Sequence, residues 1–311
     1  MSSTPSLETE FCGLELDSPV LNGSGTFDAI AARRVFGDEV VREGNFPFAA
    51  YVSKTITEEA RVGNPPFRTW ETPAGMINSI GLPNLGLEGF LEDQLPQLRD
   101  LPVPLIVSVM ASDRDGFSRI IERLSAAGGI DAFELNVSCP NVHSGLIVGE
   151  RPEETAGLLE QLRPLTERPL IVKLTPNVAS PEWIASAAEA GGADAVSLVN
   201  TLKATAIDPE SDRPWLGAGS GGLSGPAIRP IALQQVRAVA AEVSIPVVGM
   251  GGVVDGQSAY DFIRAGATVV AVGTENFRDP LAGLEVMRGL EEVLGEKGVG
   301  DLAEIRGNTL T

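Results

Sequence analysis

The 311-residue chain has 4 lysines against 19 arginines, and two of the four end apolar, β-branched runs. They are Lys54, in Ser53-Lys54-Thr55, and Lys173, in Val172-Lys173-Leu174. A single Lys at such a place reaches water along its apolar stem. Two of them offer compact point charges to an anionic ligand, a phosphate or a carboxylate. Asn136-Val-Ser-Cys139-Pro-Asn141 follows a third run and sets a thiol between two carboxamides. Asn78-Ser79-Ile80-Gly81-Leu82 and Asn200-Thr201 add further amides and hydroxyls. Such groups suit a planar ligand rich in heteroatoms, although each Asn alone is an ordinary turn residue. Cys139 alone reads as an inert small apolar group. Beside a Lys after a strand, its thiol can instead act as base or nucleophile. The lone His143 has no partner that suggests a triad, and Cys12, before Gly13, is given no role.

Two glycine-rich turns add a second chemistry. Gly249-Met-Gly251-Gly252 and Val272-Gly273-Thr274 each follow an apolar run. In barrel enzymes the loops after the seventh and eighth strands bind phosphate through backbone N–H groups. Gly221-Gly222-Leu-Ser224-Gly225 is placed to add a further wall. Each cluster alone is a turn; the pair in these positions points to phosphate.

The elements that must position these residues are legible as a beat. Eight short apolar runs read as strands: residues 19–22, 50–54, 104–109, 132–137, 169–173, 195–199, 246–250 and 268–272. Most are continuously apolar, as parallel strands buried on both faces are. Helical periods lie between several of them, at 116–127, 153–167, 181–190, 226–243 and 256–265. Pro181 and Pro226 sit where a first helical turn tolerates proline, and Gly128-Gly129 and Gly191-Gly192 follow helix ends. The alternation predicts an α/β fold, a (β/α)8 TIM barrel with an N-terminal β extension. An open doubly wound sheet shares the beat, but eight units in one register favour closure. No linker divides the chain, so residues 1–311 read as a single domain. Stretches 55–101 and 202–224 are long for βα loops and read as insertions over the C-terminal face.

Composition excludes several classes. The net charge of −19 makes the chain a poor general binder of nucleic acid or of an anionic membrane. Two cysteines and one histidine exclude a disulfide framework, a four-Cys cluster and a multi-His metal site. No apolar run approaches a membrane span, and the first ten residues lack the pattern of a secretory signal. The expectation is a soluble cytoplasmic protein without a metal of its own.

Nine motifs taken in order resemble class 1 dihydroorotate dehydrogenase. They are Gly23-Ser24-Gly25-Thr26-Phe27, Ser53-Lys54-Thr55, Gly63-Asn64-Pro65, Asn78 to Leu82, Asn136 to Asn141, Val172-Lys173-Leu174, Val199-Asn200-Thr201, Gly222 to Ile228 and Gly273 to Phe277. The likeness runs from about Leu16 to about Phe277. It implies one FMN per chain and the oxidation of (S)-dihydroorotate to orotate in pyrimidine biosynthesis. By motif, FMN contacts would come from Ser24, Lys54, Thr55, Ser108, Asn136, Lys173, Val199, Gly225, Gly251, Gly252, Gly273 and Thr274. The substrate would be held by Lys54, Asn78, Ser79, Ile80, Gly81, Leu82, Asn136, Asn141, Asn200 and Thr201. Cys139 would take the proton from substrate C5 while hydride passes from C6 to flavin N5, with Lys54 countering charge on the substrate carbonyl.

The resemblance extends to the electron acceptor. Pro140 to Gly145 and Gly273 to Phe277 look more like class 1B, in which a partner subunit carrying FAD and a 2Fe–2S cluster passes electrons to NAD. That form implies a homodimer built into a heterotetramer. Class 1A homodimers reduce fumarate instead; a related dihydropyrimidine-type flavoenzyme and a non-catalytic ligand-binding barrel are the remaining alternatives. Two positions depart from the family pattern: Ser108, where Asn is usual, and Ala204, where Gly is usual.

Overall fold

The computed structural model describes residues 5–138 and 148–308. Its centre is an eight-stranded parallel sheet in the order β3-β14-β13-β10-β9-β8-β7-β4. The members are β3 (Val20–Asn22), β4 (Tyr51–Val52), β7 (Leu105–Val109), β8 (Ala132–Asn136), β9 (Leu170–Lys173), β10 (Ala195–Leu198), β13 (Val247–Met250) and β14 (Val269–Val272). Each falls within one of the eight expected runs, and the barrel expectation is met.

A side chain closes the ring. Asn22 is fully buried between β3 and β4. Its Nδ2 donates to the Val52 carbonyl at 2.8 Å, and its Oδ1 accepts from the Val52 N–H at 2.8 Å. One carboxamide thus imitates a backbone ladder pair where the two edge strands meet. An unclosed edge would leave such groups without partners.

The sheet separates two cores. Inside it, Leu21, Val52, Ile106, Ala132, Ile171, Ala195, Val248 and Ala271 pack together. An N-terminal hairpin, β1 (Thr9–Phe11) with β2 (Leu14–Leu16), adds Phe11 and Leu16 to this interior cluster and seals the lower end. Outside, the helices cover the strands: α4 (Arg114–Ala127), α5 (Pro152–Leu162), α6 (Pro181–Ala190), α7 (Arg229–Glu242) and α8 (Gly256–Arg264). These fall where the helical periods placed them, within a few residues. Two further helices had no counterpart in the sequence reading, α1 (Ala29–Phe36) and α9 (Ala282–Lys297), and a helical segment runs through α2 (Gly86–Gly89) and α3 (Leu95–Leu98).

The two long insertions are not plain loops. β5 (Thr69–Thr72) and β6 (Gly75–Asn78) pair with β11 (Leu202–Ala204) and β12 (Gly221–Ser224) in an antiparallel sheet ordered β11-β12-β6-β5. Residues from two distant insertions therefore form one wall. It rests on its own small core of Ile77, Ala206 and Leu216, flanked by Trp70 and Trp215. Among the described residues, no helix is long and apolar enough to cross a membrane.

Candidate active site

A cavity of about 450 Å³ lies over the C-terminal ends of the barrel strands, against the antiparallel sheet. The sequence-selected residues Ser24, Lys54, Thr55, Asn78, Ser79, Ile80, Gly81, Leu82, Asn136, Lys173, Val199, Asn200, Thr201, Gly225, Gly251, Gly252, Gly273 and Thr274 all line it. Cys139, Asn141 and His143 lie outside the described residues. Ser108 is the exception: it is fully buried and does not reach the wall. Its Oγ lies 2.9 Å from the Thr55 hydroxyl, so it meets the cavity only through Thr55. Serine is too short to do what a carboxamide would at that height of the strand.

Along one side a chain of hydroxyls forms the floor. Ser24 Oγ donates to the Ser53 carbonyl at 2.8 Å and lies 3.1 Å from Thr55 Oγ1. Thr55 Oγ1 in turn accepts from Asn136 Nδ2 at 3.4 Å. Lys173 follows across the next strand, since Asn136 and Lys173 are register partners on β8 and β9. Burial is the main cause that holds Lys54 below the ordinary lysine value of 10.5, and the positive charge of Lys173 adds to it. Two ammoniums therefore face one space, and an anion placed between them would relieve both effects.

The opposite side is built by the insertions. Asn64 Nδ2 donates to Ser79 Oγ at 2.8 Å, and the Asn64 N–H donates to the Ile80 carbonyl at 3.0 Å, which fixes the 78–82 segment. Asn78 donates to the Gly222 carbonyl at 3.4 Å across the β6–β12 pair. Thr201 is held by its own N–H on Asn200 Oδ1 and by Asn177 Nδ2 on its carbonyl, at 2.8 and 3.0 Å. Thr274 Oγ1 donates to Ser224 Oγ at 2.8 Å, tying the turn after β14 to the sheet.

The residues fit a phosphate-bearing, planar group. Gly251, Gly252, Gly273 and Thr274 line one end of the cavity at the tips of β13 and β14. A Cβ built on Gly273 would meet only Thr26 Cγ2, at 4.0 Å. The chain leaves that space open although it could fill it, as a backbone that approaches a phosphate does. The two lysines and Asn136 line the part of the same cavity above β4, β8 and β9, where a ring system carrying amide groups would sit.

Several wall residues were not chosen as site residues from the sequence. Thr26, Asn64, Ser138 and Phe277 stood only inside quoted motifs, while Met76 had no signal of its own. Glu134 was missed although one carboxylate inside the apolar strand Ala-Phe-Glu-Leu-Asn is a visible anomaly. It lies one layer below the cavity, beside Lys173. Cys12 sits in the β1–β2 turn, bonded to the Asp194 carbonyl, and burial is the first cause that pushes its thiol up to about 12. It is remote from this chemistry.

Fold and site together define a TIM barrel whose cavity over the C-terminal strand ends suits a phosphate-bearing planar group and an anionic ligand. The model of the dihydroorotate dehydrogenase family matches residues 6–294. The chain belongs to that family. It is 46% identical over 297 residues, 95% of this chain and 94% of the relative, to "Dihydroorotate dehydrogenase B (NAD(+)), catalytic subunit" of Desulforudis audaxviator. A protein of the same name from Trichlorobacter lovleyi is 40% identical, with 97% of this chain and 98% of the relative covered. "Putative dihydroorotate dehydrogenase A (fumarate)" of Solibacter usitatus is 41% identical, with 98% of each chain covered.

Proposed function

We propose that this chain oxidises (S)-dihydroorotate to orotate, with one FMN bound in the cavity. The observation that carries the reading is the convergence of Lys54, Lys173, Asn78, Asn136 and Asn200 on a space that ends at the Gly251-Gly252 and Gly273-Thr274 turns. When bound, FMN supplies the hydride acceptor for a CH–CH oxidation. The glycine turns would hold its phosphate. Ser24, Thr55, Asn136, Lys173, Val199 and Gly225 would border the ring. Asn78 to Leu82, Asn200 and Thr201 would pin the substrate by amide pairing, which removes the orientational part of the barrier. Lys54 would face the substrate carboxylate or the carbonyl that gains charge. Cys139, next in sequence to the wall residue Ser138, would be the base for the C5 proton, and Asn141 would be a further substrate amide. Purified chain that is colourless and takes up no FMN would refute the reading; yellow protein bleached by dihydroorotate supports it.

For the acceptor we propose the NAD-linked form, with FAD and a 2Fe–2S cluster on a partner subunit and a homodimer of this chain at the centre. Support comes from relatives at 40–46% identity that carry the NAD-linked name. The fumarate-reducing form is the second reading, favoured by the relative from Solibacter usitatus. Turnover of the isolated chain with fumarate selects the second. Turnover with NAD only in the presence of a co-purifying iron–sulfur flavoprotein selects the first.

A further inference from the structure

Beneath the cavity, β8, β9 and β10 carry three polar side chains into the barrel interior. Glu134 and Lys173 form an ion pair at 3.7 Å between Oε1 and Nζ, with side chains only 5% and 8% exposed. Ser197 Oγ donates to the other oxygen, Oε2, at 3.1 Å. Oε1 has no hydrogen-bond partner among the described residues. At 3.7 Å the pair is longer than a hydrogen bond, so Glu134 neutralises Lys173 without clamping it. Ser197 anchors the other oxygen of the carboxylate, and Lys173 lies on the cavity wall while Glu134 does not.

An isolated buried carboxylate is costly, and a buried pair is weak as a stabilising device. Its position has a functional consequence. β9 is separated from β13 by β10, so Lys173 stands two strands away from the phosphate turns. At about 4.8 Å per strand that is roughly 10 Å, the ring end of the cavity. Lys54 and Lys173 contribute two positive charges there, and Glu134 removes one.

We propose that Glu134 offsets the charge of Lys173, which limits the positive charge presented to the flavin ring and so holds the reduction potential of the bound flavin down. The inference rests on FMN occupying the cavity. Negative charge accumulates on the ring when it is reduced. A carboxylate one layer below opposes that charge, and the ammonium between them favours it.

The test is the midpoint potential of FMN on the intact chain, measured by spectroelectrochemical titration, for the wild type and Glu134→Gln. The amide keeps the shape and the bond from Ser197 but loses the charge. The expected result is a preference for reduced over oxidised flavin raised about tenfold, or roughly 30 mV upward for a two-electron couple, with FMN still bound. An unchanged or lowered potential overturns the proposal, as does a folded Glu134→Gln chain that no longer retains FMN. If Glu134→Gln does not fold, Glu134→Asp decides. It draws the carboxylate away from Lys173 and should shift the potential upward by less; no shift overturns the proposal. A wild type that takes up no FMN sinks the cofactor reading itself, which separates the two failures.

Discussion

The side chain of Lys54 runs across the bare face of Gly25. A Cβ on Gly25 would lie 2.8 Å from Lys54 Cδ and 2.9 Å from Nζ, and the Gly25 backbone itself has φ +72°. Gly25→Ala should therefore act twice. The left-handed backbone costs about 1–2 kcal/mol, and the methyl group displaces the ammonium from the cavity. We expect a modest fall in unfolding free energy and a much larger fall in kcat/KM. Denaturant titration beside steady-state kinetics checks this; a normal kcat/KM would show that the path of Lys54 is unimportant.

Lys54 also couples ligand binding to pH. Its pKa is depressed, first by burial and then by Lys173. In the window between the depressed value and the ordinary 10.5 the unfolded chain binds more protons, so this group makes stability rise with pH there. An anionic ligand favours the charged form, so binding should take up a proton in the same window. Affinity for orotate should fall as pH rises through it. Calorimetry in buffers of different ionisation enthalpy reads the proton directly, and a proton count of zero across the window would rule Lys54 out as the source.

Lys54→Met follows from the same balance. It removes a desolvated charge and its repulsion with Lys173 while keeping most of the volume. We expect stability unchanged or raised by about 0.5–2 kcal/mol together with loss of orotate binding. A variant that is destabilised but binds normally would contradict the assignment.

Cys139→Ala tests the proposed base. Flavin content should stay as in the wild type, while reduction of the flavin by dihydroorotate slows by about 10²–10⁴-fold. Anaerobic stopped-flow mixing measures the step alone, and an unaltered rate would remove Cys139 from the chemistry.

Asn22→Ala tests barrel closure. It leaves the Val52 N–H and carbonyl without the partners they have now. Unsatisfied buried groups cost about 1–3 kcal/mol each. A loss of that size in chemical denaturation is expected, and a loss below about 0.5 kcal/mol would mean that β3 and β4 pair adequately without the carboxamide.

The barrel was legible because buried parallel strands are mostly apolar; 104–109 and 169–173 each carry a single polar residue, Ser108 and Lys173. The wall of the site was not. Thr-Trp-Glu-Thr in β5 and Gly-Gly-Leu-Ser in β12 offer almost no apolar alternation, because their sheet buries only Ile77, Ala206 and Leu216 beneath it. α9 carries several glycines that dilute its helical period, and this masked the end signals of Lys297 in the last turn and Gly298 at the C-cap. Among the site residues, those with a charged or amide group at a strand end were found. Glu134 escaped because its meaning depends on Lys173, a neighbour supplied by strand register and not by sequence.

The hairpin of β1 and β2 sets the traffic of the whole molecule. With Phe11 and Leu16 packed into the lower end and the apolar interior filled behind them, solutes cannot pass through the barrel from end to end. Reactant, product and any acceptor that must touch the cavity floor therefore come and go on the C-terminal side and take turns there. Initial-rate plots for two such solutes should then give the parallel lines of a ping-pong scheme, with each one inhibiting the other's entry at high concentration.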